Sequence, residues 1–337
     1  MSSQELAKKK AVEDSKVLPM PEFKYGITVR LNADEKAFCV PSHEEVDTIP
    51  FGINMALSKE SSFILEYDDK LSALHAGLLG KSIFIHIPEG FVSKTPVIIS
   101  NNITKNACID AIRVVVEPNA DVILIEKNDF CNVRFSRVNI EVKHNSKLTY
   151  ASSYSNKVLW VRKNAVVGDN ASLQWCECVK STHLAYSRTF SKLDGRNSSV
   201  DNTSVFSGCS GQFDIGVTNE HVGSFSKSNL LSKGVLDGTA KGIAQGTIIV
   251  GEHAFKSDSY QKEDLLLLGD NSEGDSIPQL FIHNHDVRCT HGASVSSIDE
   301  NQLFYLSSRG ISFEDAKNLL VDGFLAHAVK KMPKEAL

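Results

Sequence analysis

Cys289 and His291 are, by type and spacing, the residues of this sequence best suited to chemistry. They lie in the run Val287 to Val295, VRCTHGASV, which reads as a strand. On a strand, side chains two apart share a face, with Cα atoms roughly 6–7 Å apart. A thiol would then stand beside an imidazole, a pair that suits iron or an iron–sulfur cluster. Two ligands are too few, because a cluster takes about four. The rest would have to come from a second chain or from a sulfide donor. The plainer alternative is an exposed pair that only packs at a strand end.

Three other groupings invite chemistry and carry less of it. His283-Asn-His285-Asp286 misses the metal-hydrolase spacing H-x-H-x-D-H: Asp286 comes one residue early and Val287 stands where a His would follow. On a strand, His283 and His285 would share a face with Cys289 and His291, so a metal site is stereochemically open, but exposed strand residues are the favoured reading. Cys176-Glu-Cys178 is not C-x-x-C, and its thiols read as packing residues; Cys39, Cys108, Cys131 and Cys209 have no partner by spacing. Gly80-Lys81-Ser82 is the tail of a P-loop pattern whose first glycine position is His75, with a helix before it and a strand after, the reverse of the required order.

The elements that must position Cys289 and His291 are mostly β. From residue 81 to about 295 the chain is a series of short β-rich runs broken by Asn, Asp, Gly and Ser. A turn residue followed by a small one recurs at Asn119, Asn145, Asn170, Asn197 and Gly223, with gaps of 26, 25, 27 and 26 residues. Three residues after the first four anchors stand Val122, Leu148, Leu173 and Val200; the fifth copy breaks the pattern with Ser226. A fixed period with an apolar residue at one phase is what stacked coils of a parallel β-helix require, with Asn or Gly supplying left-handed corners. An antiparallel sandwich with evenly spaced turns is the alternative.

Before this repeat, residues 1 to about 16 read as a polar helix or arm, and Pro21 to Tyr67 gives no assignment. Leu71–Leu79 has helical spacing, and Ser82–Ile87 alternates as a strand that stops at Pro88-Glu-Gly90. After it, Ser297-Ile-Asp-Glu300 has capping-box spacing and predicts a helix start; Arg309-Gly310 ends that helix with a glycine C-cap. Ser312 opens a second helix, on which Phe313, Ala316, Leu319, Leu320, Gly323 and Phe324 form one apolar face. The expected organisation is an N-terminal α/β region over 1–80, a β core over 81–296 and a C-terminal helical domain over 297–337.

The 337 residues are enough for a large core, and the net charge of −5 gives no electrostatic case for nucleic acid or a membrane surface. The charged first residues do not form a secretory signal, and no apolar run reaches the roughly 18 residues of a membrane-spanning helix. Seven scattered cysteines then read as reduced thiols of a cytoplasmic protein.

The stretch from Asp286 to Ile311 resembles the C-terminal signature of the SufB/SufD family of iron–sulfur cluster assembly proteins, and is most similar to its SufD type. The residues that carry the resemblance are Asp286-Val287, Cys289-Thr290-His291-Gly292-Ala293-Ser294-Val295, Phe304-Tyr305-Leu306 and Ser308-Arg309-Gly310-Ile311. Thr290, Ser294 and Ser296 depart from the family pattern by small changes. The similarity continues through Gly242, Gly246–Val250, Ala254, Gln261 and Leu265–Leu268. It implies a right-handed parallel β-helix. It also implies a SufB-type or identical partner subunit, and a SufC-type ABC ATPase docked on the C-terminal helices through Phe304, Tyr305, Leu306, Arg309, Gly310, Leu319, Leu320 and Phe324. His291 would face the partner as a ligand to a transient iron–sulfur cluster, with Cys289 beside it, and no cofactor would be held permanently. The SufB type carries an interior cysteine where Ser191 aligns and a second in a segment matching Gly269–Pro278; both are absent here, which favours the SufD type. Such a chain would catalyse nothing itself. The rivals are a β-helix carbohydrate lyase or hydrolase, which would want clustered Asp or Arg along a groove, and a structural interaction protein indifferent to loss of Cys289 and His291.

Overall fold

The computed structural model describes residues 3–21, 38–39, 53–58, 67–79, 82–93, 95–101, 107–128 and 131–337. Gly80 and Lys81 of the P-loop-like tripeptide lie outside this set, as does the side chain of Cys39. The chain opens with α1 (Ser3–Val17), two short strands, β1 (Phe38–Cys39) and β2 (Asn54–Ser58), and α2 (Lys70–Leu78). Asp69 caps α2 through a reciprocal capping box with Ser72. The strand expected from the alternation of Ser82–Ile87 is β3, with those bounds.

From there the chain winds as a parallel β-helix of about seven coils. Each coil gives one strand to each of two ladders. The first ladder holds β4 (Val97–Asn101), β6 (Asp121–Asn128), the front half of β8 (Lys147–Val167), the front half of β9 (Ser172–Leu193), β10 (Ser199–Gly208), β12 (Lys227–Leu236), β14 (Asp258–Leu267) and β16 (Arg288–Ser297). The second holds β3, β5 (Ala107–Val116), β7 (Val133–Val142), the back halves of β8 and β9, β11 (Gln212–His221), β13 (Lys241–Val250) and β15 (Glu273–Ile282). Among the described residues only β2 and β3 pair antiparallel. No described helix is long and apolar enough to cross a membrane.

The repeat works as its spacing requires. Val122, Leu148, Leu173 and Val200 are register partners in successive coils and are buried. Each such aliphatic side chain contributes about 1.5–3 kcal/mol on leaving water. Asn119, Asn145, Asn170 and Asn197 all sit in left-handed backbone, with φ between 53° and 60°. Asparagine tolerates that conformation and bonds its neighbours. Asn145 Nδ2 donates to Asn119 Oδ1 (3.3 Å) and Asn197 Nδ2 to Asn170 Oδ1 (3.1 Å), a ladder along the corner. The next corner residue is not Gly223. Register places Phe225 above Asn197 and Lys256 above Phe225, with φ of 61° and 58°. The coils lengthen there, so the fixed period stops pointing at the corner. The residue three further on is accordingly Ser228, which is buried.

The C-terminal helices are α3 (Glu300–Ser308) and α4 (Phe313–Lys330). The first does not begin at a Ser297 capping box: Ser297 is the last residue of β16, and Asp299 is the N-cap, its side chain accepting from the Asn301 N–H. Strand pairing on Leu267 holds Ser297 extended and moves the start two residues on. The Arg309 C-cap with Gly310 at φ 89°, and the Ser312 N-cap, stand as expected. The end of α4 packs on the outer face of the first ladder, where Ala328, Met332 and Ala336 meet Ile125, Ala151, Cys176, Val205 and Leu231.

Candidate functional site

β16 is the last strand of the first ladder, and its register sets the site. It pairs in parallel with β14, Ser259 opposite Cys289, Gln261 opposite His291 and Glu263 opposite Ala293. Val122, Leu148, Leu173, Val200, Ser228, Ser259 and Cys289 therefore occupy one inward column, and His291 tops the column beside it. Cys289 is half-buried, and burial pushes its thiol up. His291 is exposed. The two share the inner face of the final coil, as their spacing predicts.

Among the described residues no further coil covers them: β15 pairs in the sheet with β13 alone, and β16 with β14 alone, which leaves one backbone edge of each open. Phe281, Ile282 and Val295 are 49%, 43% and 43% exposed on this coil.

Below the end coil the interior is polar. His221 Nε2 lies 2.8 Å from Ser228 Oγ, and its Nδ1 lies 2.8 Å from Ser226 Oγ, which meets Ser257 Oγ at 2.8 Å. Burial pulls His221 down to about 4, so the imidazole is neutral at pH 7. Asn219 donates to Asn202 (2.9 Å), and the Trp175 indole N–H donates to Ser191 (3.0 Å). Glu263 accepts from Ser276 Oγ at 3.1 Å, and burial pushes its carboxyl up to about 7.

Deeper in the stack are charges that sequence reasoning missed. Arg134 Nη2 lies 2.9 Å from Asp110 and 2.8 Å from Glu126, and all three are buried. Tyr150 donates to Glu126 at 2.8 Å, and Lys163 meets Glu177 at 2.6 Å. The available signal was a charged residue at the inward phase of a period-two strand.

His283 and His285 do not join the site. β15 ends at Ile282, so they lie in the bend before β16 rather than on a strand, and both are exposed. Between them Asn284 is buried and organises the bend, donating to the Glu252 carbonyl (2.8 Å) and accepting from the Asp286 N–H (2.8 Å). Asp286 pairs with Lys256 at 2.8 Å. Among the described residues no group of three or more His, Cys, Asp or Glu could hold a metal ion. Cys176 packs beneath α4, where burial pushes its thiol up to about 12; Cys178 is half-buried and also raised by burial. Cys108 and Cys131 are buried, while Cys209 is exposed.

A second surface lies on the helices. Phe304, Tyr305, Phe313 and Leu319 are exposed, while Leu306, Leu320 and Phe324 are half-buried. The Arg309 guanidinium covers the Tyr305 ring at 5.2 Å, and the Lys233 ammonium covers Phe324 at 4.1 Å. Lys317 to Asp237 (2.8 Å) and Lys331 to Asp201 (3.2 Å) fasten α4 to the β-helix at two points along its length.

Residues 98–324 match the family described as SUF system FeS cluster assembly, SufBD core domain. The chain is 29% identical over 282 residues to the iron–sulfur cluster assembly protein SufD of Bacillus subtilis, covering 80% of this chain and 64% of that protein. It is 35% identical over 150 residues to SufD of Escherichia coli, covering 44% and 36%. It is 30% identical over 203 residues to the SufBD family protein ycf24 of Galdieria sulphuraria, covering 58% and 92%. The chain thus spans less than two thirds of either bacterial protein's length.

Proposed function

The chain belongs to the SufBD core family of SUF-system iron–sulfur cluster assembly proteins, and we propose that it serves there as a SufD-type, non-catalytic subunit. Its end coil pairs with a SufB-type or second identical subunit, and α3 with α4 holds a SufC-type ATPase. The nascent cluster is cargo at the seam between subunits rather than a resident cofactor. One observation carries this reading. The coil that bears Cys289 and His291 is also the coil left with unpaired backbone edges and exposed Phe281, Ile282 and Val295. An open strand edge recruits another strand, so a partner that closes the stack brings its own ligands to the same two side chains. The exposed aromatics of α3 and α4 form a second apolar face, on helices rather than on a strand edge, which suits a different partner.

The test is iron and acid-labile sulfide per purified complex. His291→Ala lowers both without weakening ATPase binding; Cys289→Ser has the smaller effect. Equal iron in the wild type and His291→Ala returns the strand to a packing role. Deleting residues 299–337 abolishes ATPase binding while the β-helix stays folded, and undiminished binding would refute the dock.

A further inference from the structure

Gln261 is 0% exposed, and neither atom of its amide has a hydrogen-bond partner. A buried, unsatisfied amide costs about 1–3 kcal/mol, so a fold that keeps one calls for an explanation. Beside it Glu263 Oε1 is also buried and unpartnered. Both oxygens aim at the space left by Gly246 in the facing ladder: a Cβ there would collide with Glu263 Oε1 and stand 3.1 Å from Gln261 Oε1. Directly above Gln261 in the register stands His291, on the same inward face, exposed and with no fixed hydrogen bond. Turned so that Nε2 donates to the Glu263 carboxyl, the Gln261 amide keeps Oε1 free to accept a hydrogen bond.

We propose that Gln261 is a positioning residue for His291: its carbonyl oxygen accepts from one ring N–H of the imidazole and leaves the other nitrogen free, as a lone pair, for a metal ion at the subunit edge. Resting on the role proposed above for His291, this assigns it a fixed tautomer set from inside the β-helix. Histidines that bind metal commonly make such a second hydrogen bond, and loss of the acceptor typically weakens binding 10–100-fold. Gly246 serves the same arrangement by leaving Gln261 and Glu263 room to meet.

The test separates positioning from packing by reading the ring and its affinity alongside stability. Gln261→Leu keeps the volume and removes the acceptor, and a rise in the melting temperature of the full chain would show that the amide had no partner to lose. Titrated with Co²⁺ alone, the same variant binds about 10-fold more weakly than wild type. Gln261→Glu restores the acceptor and the wild-type affinity. In ¹⁵N-histidine spectra, with the His291 signal identified by its loss in His291→Ala, the wild-type ring shows one tautomer and Gln261→Leu a mixture. An unchanged tautomer in Gln261→Leu overturns the inference, and so does unchanged Co²⁺ affinity. Should wild type and His291→Ala bind Co²⁺ alike, the ligand role proposed for His291 fails; the tautomer readout, which needs no metal, still judges Gln261.

Discussion

In the coils built on β6, β8, β9 and β10, the inward column reads Val122, Leu148, Leu173, Val200; in those on β12, β14 and β16 it reads Ser228, Ser259, Cys289. The backbone is the same in both regions, a parallel strand per ladder per coil. The early coils have asparagine corners and an aliphatic column, and the charges they bury are paired. The late coils have Phe225 and Lys256 in the left-handed corner, a polar interior and an open end. A β-branched or aromatic residue at positive φ is costly, and such cost gathers where a surface has a task beyond folding. The contrast separates a stretch selected for closure from one selected for what it presents.

The comparison breaks most sharply at Arg134. Removing it by Arg134→Ala leaves Asp110 and Glu126 buried without their counter-charge, and costs about 3–5 kcal/mol in urea unfolding. A loss under about 1 kcal/mol would mean that water reaches the charges of the early interior once Arg134 is gone. Next comes the apolar column itself: Leu148→Ala opens a cavity in a fully packed stack and costs about 3 kcal/mol. Ser259→Ala, one of the matching late substitutions, changes stability by less than about 0.5 kcal/mol, because it opens almost no cavity and removes no more than a weak bond to the Cys289 thiol. Equal costs at the two positions would erase the distinction.

The late interior also carries a pH dependence, at Glu263. Its carboxyl is raised to about 7 in the fold, so the native state keeps a proton that the unfolded chain gives up near its ordinary value. The stability tied to that proton is whole at low pH and is lost as pH rises through about 7. Glu263→Gln, permanently neutral, escapes the loss, so its advantage over wild type grows from about pH 4.5 to 7 and levels off at about 3 kcal/mol. Urea midpoints measured across that range check it; a flat difference would show that Glu263 is ionised throughout.

Much of the early region was legible in the sequence, and less of the late one. Asparagine corners announce themselves because few other residues accept positive φ, and Val122, Leu148 and Leu173 share one phase of a fixed period. Phe225 and Lys256 hide the later corners, since neither is a turn residue by type and the coils around them lengthen. Cys289 and His291 could be placed on one face from spacing alone. Gln261 and Glu263 could not be seen beneath them, because what joins β14 to β16 is a register between residues about thirty apart in sequence. Ser297 misled for a related reason: its local capping pattern is overridden by pairing with Leu267.

β8 and β9 run 21 and 22 residues without a break, each turning from one ladder into the other. In the later coils separate strands take each ladder: β10 and β11, β12 and β13, β14 and β15. Stacked coils fold by adding to a nucleus, each new layer templated by the last. A nucleus is cheapest where two layers already share the longest uninterrupted pairing, which places it at β8 and β9, near the centre of the stack. Growth from there runs outward both ways, so the coil carrying His291 is among the last to form and among the first to open. Its amides should exchange with solvent fastest and those of β8 and β9 slowest, and a partner arriving at the seam would meet a coil still able to adjust to it.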